Sequence, residues 1–116
     1  YNVDGAAKQI VAAERRHDLM TRELTEMSET AQADMAKSQL QIKAAEAQIG
    51  ASAEVARLYE MQFKVGRRSL IELVNAYAEQ AGVEASRVLA QSDWRNAVVS
   101  YMRAYAALTG WAQAGR

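Results

Sequence analysis

The sequence predicts an all-α fold, a long antiparallel helical hairpin of coiled-coil type, and three observations carry that prediction. The 116 residues contain no proline, so nothing in the chain forces a helix to stop. Apolar and small residues recur at heptad spacing over most of the length. One strong breaker, Val65-Gly66, divides the pattern near its middle.

The first helix is expected over about residues 4–63. Asp4 is a candidate N-cap ahead of Gly5-Ala6-Ala7. One heptad line runs Ile10, His17, Leu24, Ala31, Ser38, Ala45, Ser52, Tyr59, with only His17 out of place. The companion line reads Ala13, Met20, Met27, then slips one residue near Asp34 and resumes as Met35, Ile42, Ile49, Ala56, Phe63. Such a slip predicts a local change of supercoil. About 60 residues at 1.5 Å each give roughly 90 Å of helix, well beyond an ordinary globular one.

A tip turn is expected at about residues 64–68, and a second helix from 69 to 110 or slightly beyond. Ser69 is a candidate N-cap, and Glu72 three residues on completes a capping box. The apolar stripe of this helix reads Leu70, Leu73, Val74, Tyr77, Ala81, Ala85, Val88, then Val99, Met102 and Ala106, with Thr109-Gly110 as the stop. A short loop between two long heptad-bearing helices folds them back on each other. Gly50 and Gly82 lie equally far from Gly66 along the chain and so stand at one height in that hairpin. Each costs about 1 kcal/mol in a helix relative to alanine. They mark either a level of close helix approach, within the hairpin or between hairpins, or two tolerated glycines.

Composition narrows the function. Lys+Arg and Asp+Glu both number 14, so the chain lacks the basic footprint of a nucleic-acid or anionic-membrane binder. There is no cysteine, which removes disulfides and Cys-ligated zinc and is compatible with either redox compartment. The 24 alanines, roughly a fifth of the chain, imply a core of small side chains. No run of about 18 apolar residues offers a membrane-spanning helix. The opening Tyr1-Asn2-Val3 reads as the continuation of a preceding element, which makes the chain a fragment by expectation.

Catalytic chemistry finds no foothold. Glu14-Arg15-Arg16-His17 has the Glu-x-x-His spacing of di-iron bundles, but His17 is the sole histidine and no second pair exists. A seam histidine is the plainer reading, and no metal or cofactor is expected. His17 lies far along the chain from Ser69, so no nucleophilic triad assembles, and Gly66-Arg67-Arg68-Ser69 is not a phosphate-binding loop. The chain is not expected to be an enzyme. At the tip, Lys64, Arg67 and Arg68 form a cation cluster flanked by Glu60 and Glu72. Cations at a helix N-terminus oppose the macrodipole, which hints that a contact rather than helix stability placed them.

The segment Tyr59-Glu-Met-Gln-Phe-Lys-Val-Gly66-Arg-Arg-Ser-Leu-Ile-Glu72-Leu-Val-Asn-Ala76 resembles the periplasmic turn of the TolC family of outer-membrane export channels. Tyr1-Asn-Val-Asp-Gly5-Ala resembles that family's strand-to-helix exit, and Trp94 through Leu108-Thr-Gly110 its closing helix, so the likeness covers essentially the whole chain. The Gly-Arg-Arg-Ser-Leu form is most similar to the branch serving type I protein secretion. The resemblance implies a fragment of a trimeric α-barrel/β-barrel channel, the second repeat's periplasmic coiled coil of a Gram-negative outer-membrane protein, with membrane contact only through strands absent here. It implies export of proteins or small molecules, and as partners a periplasmic adaptor (membrane fusion) protein and, through it, an inner-membrane transporter.

The resemblance also implies roles for single residues. Arg68 matches a basic position that holds the entrance closed, and Glu72 the first of two acidic pore positions. Asn75 departs from the second acidic position, and Phe63 replaces a tyrosine. Val65, Gly66, Arg67, Ser69 and Leu70 fall on the tip that meets the adaptor. The alternative is a generic coiled-coil interaction module, such as an adaptor hairpin, which explains the heptads equally well but not the tip pattern.

Overall fold

The computed structural model describes residues 2–114, and these form two α-helices, α1 (Asn2–Lys64) and α2 (Leu70–Ala114), joined by a five-residue turn. Among the described residues there is no strand, and no helix is long and apolar enough to cross a membrane. α1 extends past both of its expected ends, whereas α2 begins one residue later than expected and runs to Ala114. Asp4 lies inside the first turn of α1 rather than before it, where its charge still complements the helix N-terminus. Thr109-Gly110 does not stop α2, because a single glycine costs a helix only about 1 kcal/mol.

The chain divides into two compact units, residues 34–96 and residues 1–33 with 97–116. In the first unit α1 turns back through the tip into α2 as an antiparallel hairpin. Its interior is a seam of Ala45, Ala56, Ala76 and Ala90 with Leu73 and the small polar Ser38. In the second unit Ala31, Ala97 and Ala104 are the buried positions. From Val3 to Met20 only Ala12 is even half-buried. The expected seam positions Ile10, Ala13 and His17 are therefore exposed, in the stretch where α1, with 63 residues, outruns the 45 of α2.

Within α1 the main inward line is 21, 24, 28, 31, 35, 38, 42, 45, 49, 52, 56 and 59, an unbroken alternation of three and four, with Ala12, Ala53, Glu60 and Gln62 half-buried outside it. The expected slip near Asp34 does not occur. Thr21 and Ser28 take the inward places, while Met20 and Met27 stand 44% and 51% exposed. The Thr21 hydroxyl donates to the carbonyl of His17 at 2.9 Å, so the seam holds a polar side chain whose hydrogen bond is made within its own helix.

The expected α2 stripe is also displaced. The inward line is Leu73, Gln80, Arg87, Trp94, Tyr101, Leu108, alternating with Ala76, Val83, Ala90, Ala97, Ala104. Of the expected stripe only Leu73 is buried; Leu70, Val74, Tyr77, Val88 and Met102 face outward. The reason is steric. A line of alanines lets two helix backbones approach closely, with Trp94 and Tyr101 filling the space beside it, whereas a stripe of larger side chains holds helices apart. Seven of the eight buried apolar residues are alanines, the larger inward side chains such as Leu24, Ile42, Ile49 and Trp94 are half-buried, and many other large apolar side chains lie outside. Arg87 Nε and Trp94 Nε1 are buried with no hydrogen-bond partner.

Gly50 and Gly82 are both exposed, and a Cβ built on either meets nothing within 4 Å. Close approach within the hairpin is thereby removed as their explanation.

Candidate functional site

The tip is built from two helix-end devices placed back to back. Gly66 adopts φ +78°, the left-handed conformation that residues with a Cβ avoid. Around it Arg67 N–H donates to the Gln62 carbonyl at 2.8 Å and Gly66 N–H to Phe63 at 3.0 Å, the two bonds of a Schellman cap. Three residues after Gly66, Ser69 caps α2. Its hydroxyl accepts from Glu72 N–H at 3.2 Å, and its carbonyl accepts from Leu73 N–H at 3.2 Å. The expected capping box is half-formed, because the Glu72 side chain turns to Arg68 rather than back to the Ser69 amide.

Arg68 lies at the centre of the site. Its Nε donates to Gln62 Oε1 at 2.8 Å, and its Nη1 meets Glu72 Oε2 at 2.7 Å. The guanidinium carbon stands 3.8 Å from the centre of the Tyr59 ring, a cation–π stack. The Arg68 hydrogen bond holds the Glu72 carboxyl below its ordinary range, against a partial loss of hydration that acts the other way; the Ser69 hydroxyl adds to the lowering. A second bridge crosses between the helices where the Tyr77 hydroxyl donates to Glu60 Oε2 at 2.8 Å, with Lys64 at 3.6 Å from the other oxygen. Accepting that bond, Glu60 raises the Tyr77 phenol.

The structure therefore brings Arg68 and Glu72 together but not the rest of the expected set. Phe63 contributes its carbonyl to the turn and leaves its ring 39% exposed, and Asn75 is exposed one turn beyond Glu72. Val65, Leu70 and Ile71 are 69%, 58% and 73% exposed around the turn, and Arg67 beside them has no ion pair among the described residues. Tyr59, Gln62 and Tyr77 are site residues that sequence reasoning missed, whereas Glu60 is one of the two acids expected to flank the tip. The available signal was spacing: Tyr59 and Gln62 lie three apart on the last turns of α1, on the side to which the turn returns the chain.

No group of three or more His, Cys, Asp or Glu side chains among the described residues is placed to hold a metal ion. The site offers hydrogen bonds, the cations Lys64, Arg67 and Arg68, and apolar surface, which is equipment for contact. No family model, curated protein or solved structure matches the chain.

Proposed function

We propose that this hairpin is the periplasmic coiled-coil segment of a TolC-like trimeric outer-membrane duct for proteins or small molecules, whose tip docks a periplasmic adaptor and gates the pore. In this reading the adaptor links the duct to an inner-membrane transporter, and the hairpin performs no chemistry. The observation that supports it best is the tip itself. A left-handed glycine cap and a serine cap lie within four residues, with Val65, Leu70 and Ile71 turned outward around Arg67. Grouped around one turn, these apolar side chains give the docking partner of this reading a surface to cover. The outward stripe of α2 is a second support, since staves of a cylinder wall need apolar flanks for their neighbours.

Glu72, Asn75 and Glu79 recur at three- and four-residue spacing on one exposed face of α2. In a trimer that face sets a ring of three Glu72 carboxylates around the entrance, biasing it toward cations. The test is bilayer conductance of the parent channel. Arg68→Ala is expected to raise basal conductance, and Glu72→Gln to lower cation selectivity. Unchanged conductance and selectivity in both variants would sink these residue roles.

A further inference from the structure

We propose that Arg68 is the positioning residue of the tip, acting inside its own hairpin to lock the turn and hold Val65, Leu70 and Ile71 as one docking surface. The inference rests on the reading of the tip as a dock and moves the effect of Arg68 from a latch between chains to a clamp within one. Three contacts carry it, and together they reach both helices. Tyr59 and Gln62 belong to the last turns of α1, Arg68 to the turn, and Glu72 to the first turn of α2. One planar group thus ties the end of one helix to the start of the next.

The geometry of the contacts selects arginine. Nε and Nη1 point to two different acceptors while the flat face rests on an aromatic ring, and only a guanidinium offers edge donors and a stacking face together. A lysine at this position keeps the charge toward Glu72 and loses the rest. The placement also accounts for a cation ahead of a helix N-terminus, since Glu72 compensates it at 2.7 Å. Arg67, its neighbour, makes none of these contacts and is left for a partner.

The clamp controls the docking surface because the exposed residues sit between its anchors. Val65 lies between Gln62 and Arg68, and Leu70 and Ile71 between Arg68 and Glu72. When the guanidinium is lost, the Schellman and serine caps remain, and the tie between their helix ends is left to the Tyr77–Glu60 bond a turn further from the tip.

Amide hydrogen exchange on the 116-residue chain, read by NMR, tests this without any channel. Arg68→Ala is expected to speed exchange at Gly66, Arg67, Glu72 and Leu73 about tenfold, with amides around Ala45 and Ala90 unchanged. Arg68→Lys is expected to recover less than half of that protection. Tyr59→Leu, which leaves every charge in place, is expected to loosen the same four amides, and Tyr59→Phe to leave them alone. Tip exchange unchanged in both Arg68→Ala and Tyr59→Leu overturns the proposal, as does full recovery by lysine. A lost channel activity with an intact clamp, or an intact clamp in a protein that forms no channel, separates this inference from the functional reading beneath it.

Discussion

Replacing Gly50 and Gly82 by alanine is expected to stabilise the isolated chain. Both glycines lie inside helices, both are exposed, and a Cβ on either meets no atom within 4 Å. The substitution therefore carries only the backbone gain, about 0.8 to 1 kcal/mol per site. The sites share no contact through the added methyls, so the double variant should gain nearly 2 kcal/mol. For a domain of this size that is a rise of about 8 °C in Tm. The assay is urea and thermal unfolding by circular dichroism at low micromolar protein, with sedimentation confirming one species. A double variant no more stable than the parent would refute the reasoning, because it would mean that another surface already occupies the space beside these glycines. In the duct proposed above the expectation reverses: a methyl would intrude wherever a neighbouring helix approached at that level, and the same pair should weaken assembly.

Other outcomes follow from the same geometry. Gly66→Ala forces a Cβ into the left-handed region and is expected to cost about 1 to 2 kcal/mol in urea unfolding, without changing helix content. The Glu72 carboxyl is lowered in the folded chain, so its contribution to stability is complete above its ordinary value of 4.5 and is lost as pH falls through the lower folded value. Tyr77 runs the other way: its phenol is raised, so its bond to Glu60 contributes below 10.0 and is lost as pH climbs through the higher folded value. Urea midpoints across both ranges should show the two declines, with Arg68→Ala flattening the acid one and Tyr77→Phe the alkaline one. Arg87→Met removes a buried nitrogen that has no partner and keeps most of the packing volume, so it should raise stability by about 1 kcal/mol in the same unfolding assay.

The tip was legible in the sequence because its determinants are local. Gly66 and Ser69 act on backbone within a few residues, and their identities name the two caps outright. In α1 the seam was legible in period and, from Leu24 to Tyr59 along one line and from Met35 to Ala56 along the other, in phase; it was one position out at Met20 and Met27 and along most of α2. Its inward residues, Thr21, Ser28 and the alanines, are less apolar than Met20, Met27, Val74 and Tyr77 on the neighbouring faces, so hydropathy pointed one position away. What decided the phase was helix separation, which depends on side-chain size rather than on water transfer. Tyr59 and Gln62 were missed for a related reason: their importance comes from where the turn sends Arg68, a fact of three dimensions.

The alanine seam also bears on how the fold responds to temperature. Heat capacity of unfolding grows with the apolar area newly exposed to water, and a seam whose fully buried apolar residues are seven alanines and one leucine, with its larger side chains only half-buried, exposes little of it. The stability curve of the isolated hairpin should therefore be broad and shallow, with an unfolding enthalpy that changes slowly between cold and heat. Any assembly that covers its outward side chains would add the missing curvature, so calorimetry of the free and the assembled states would weigh the interfaces by their heat capacity alone.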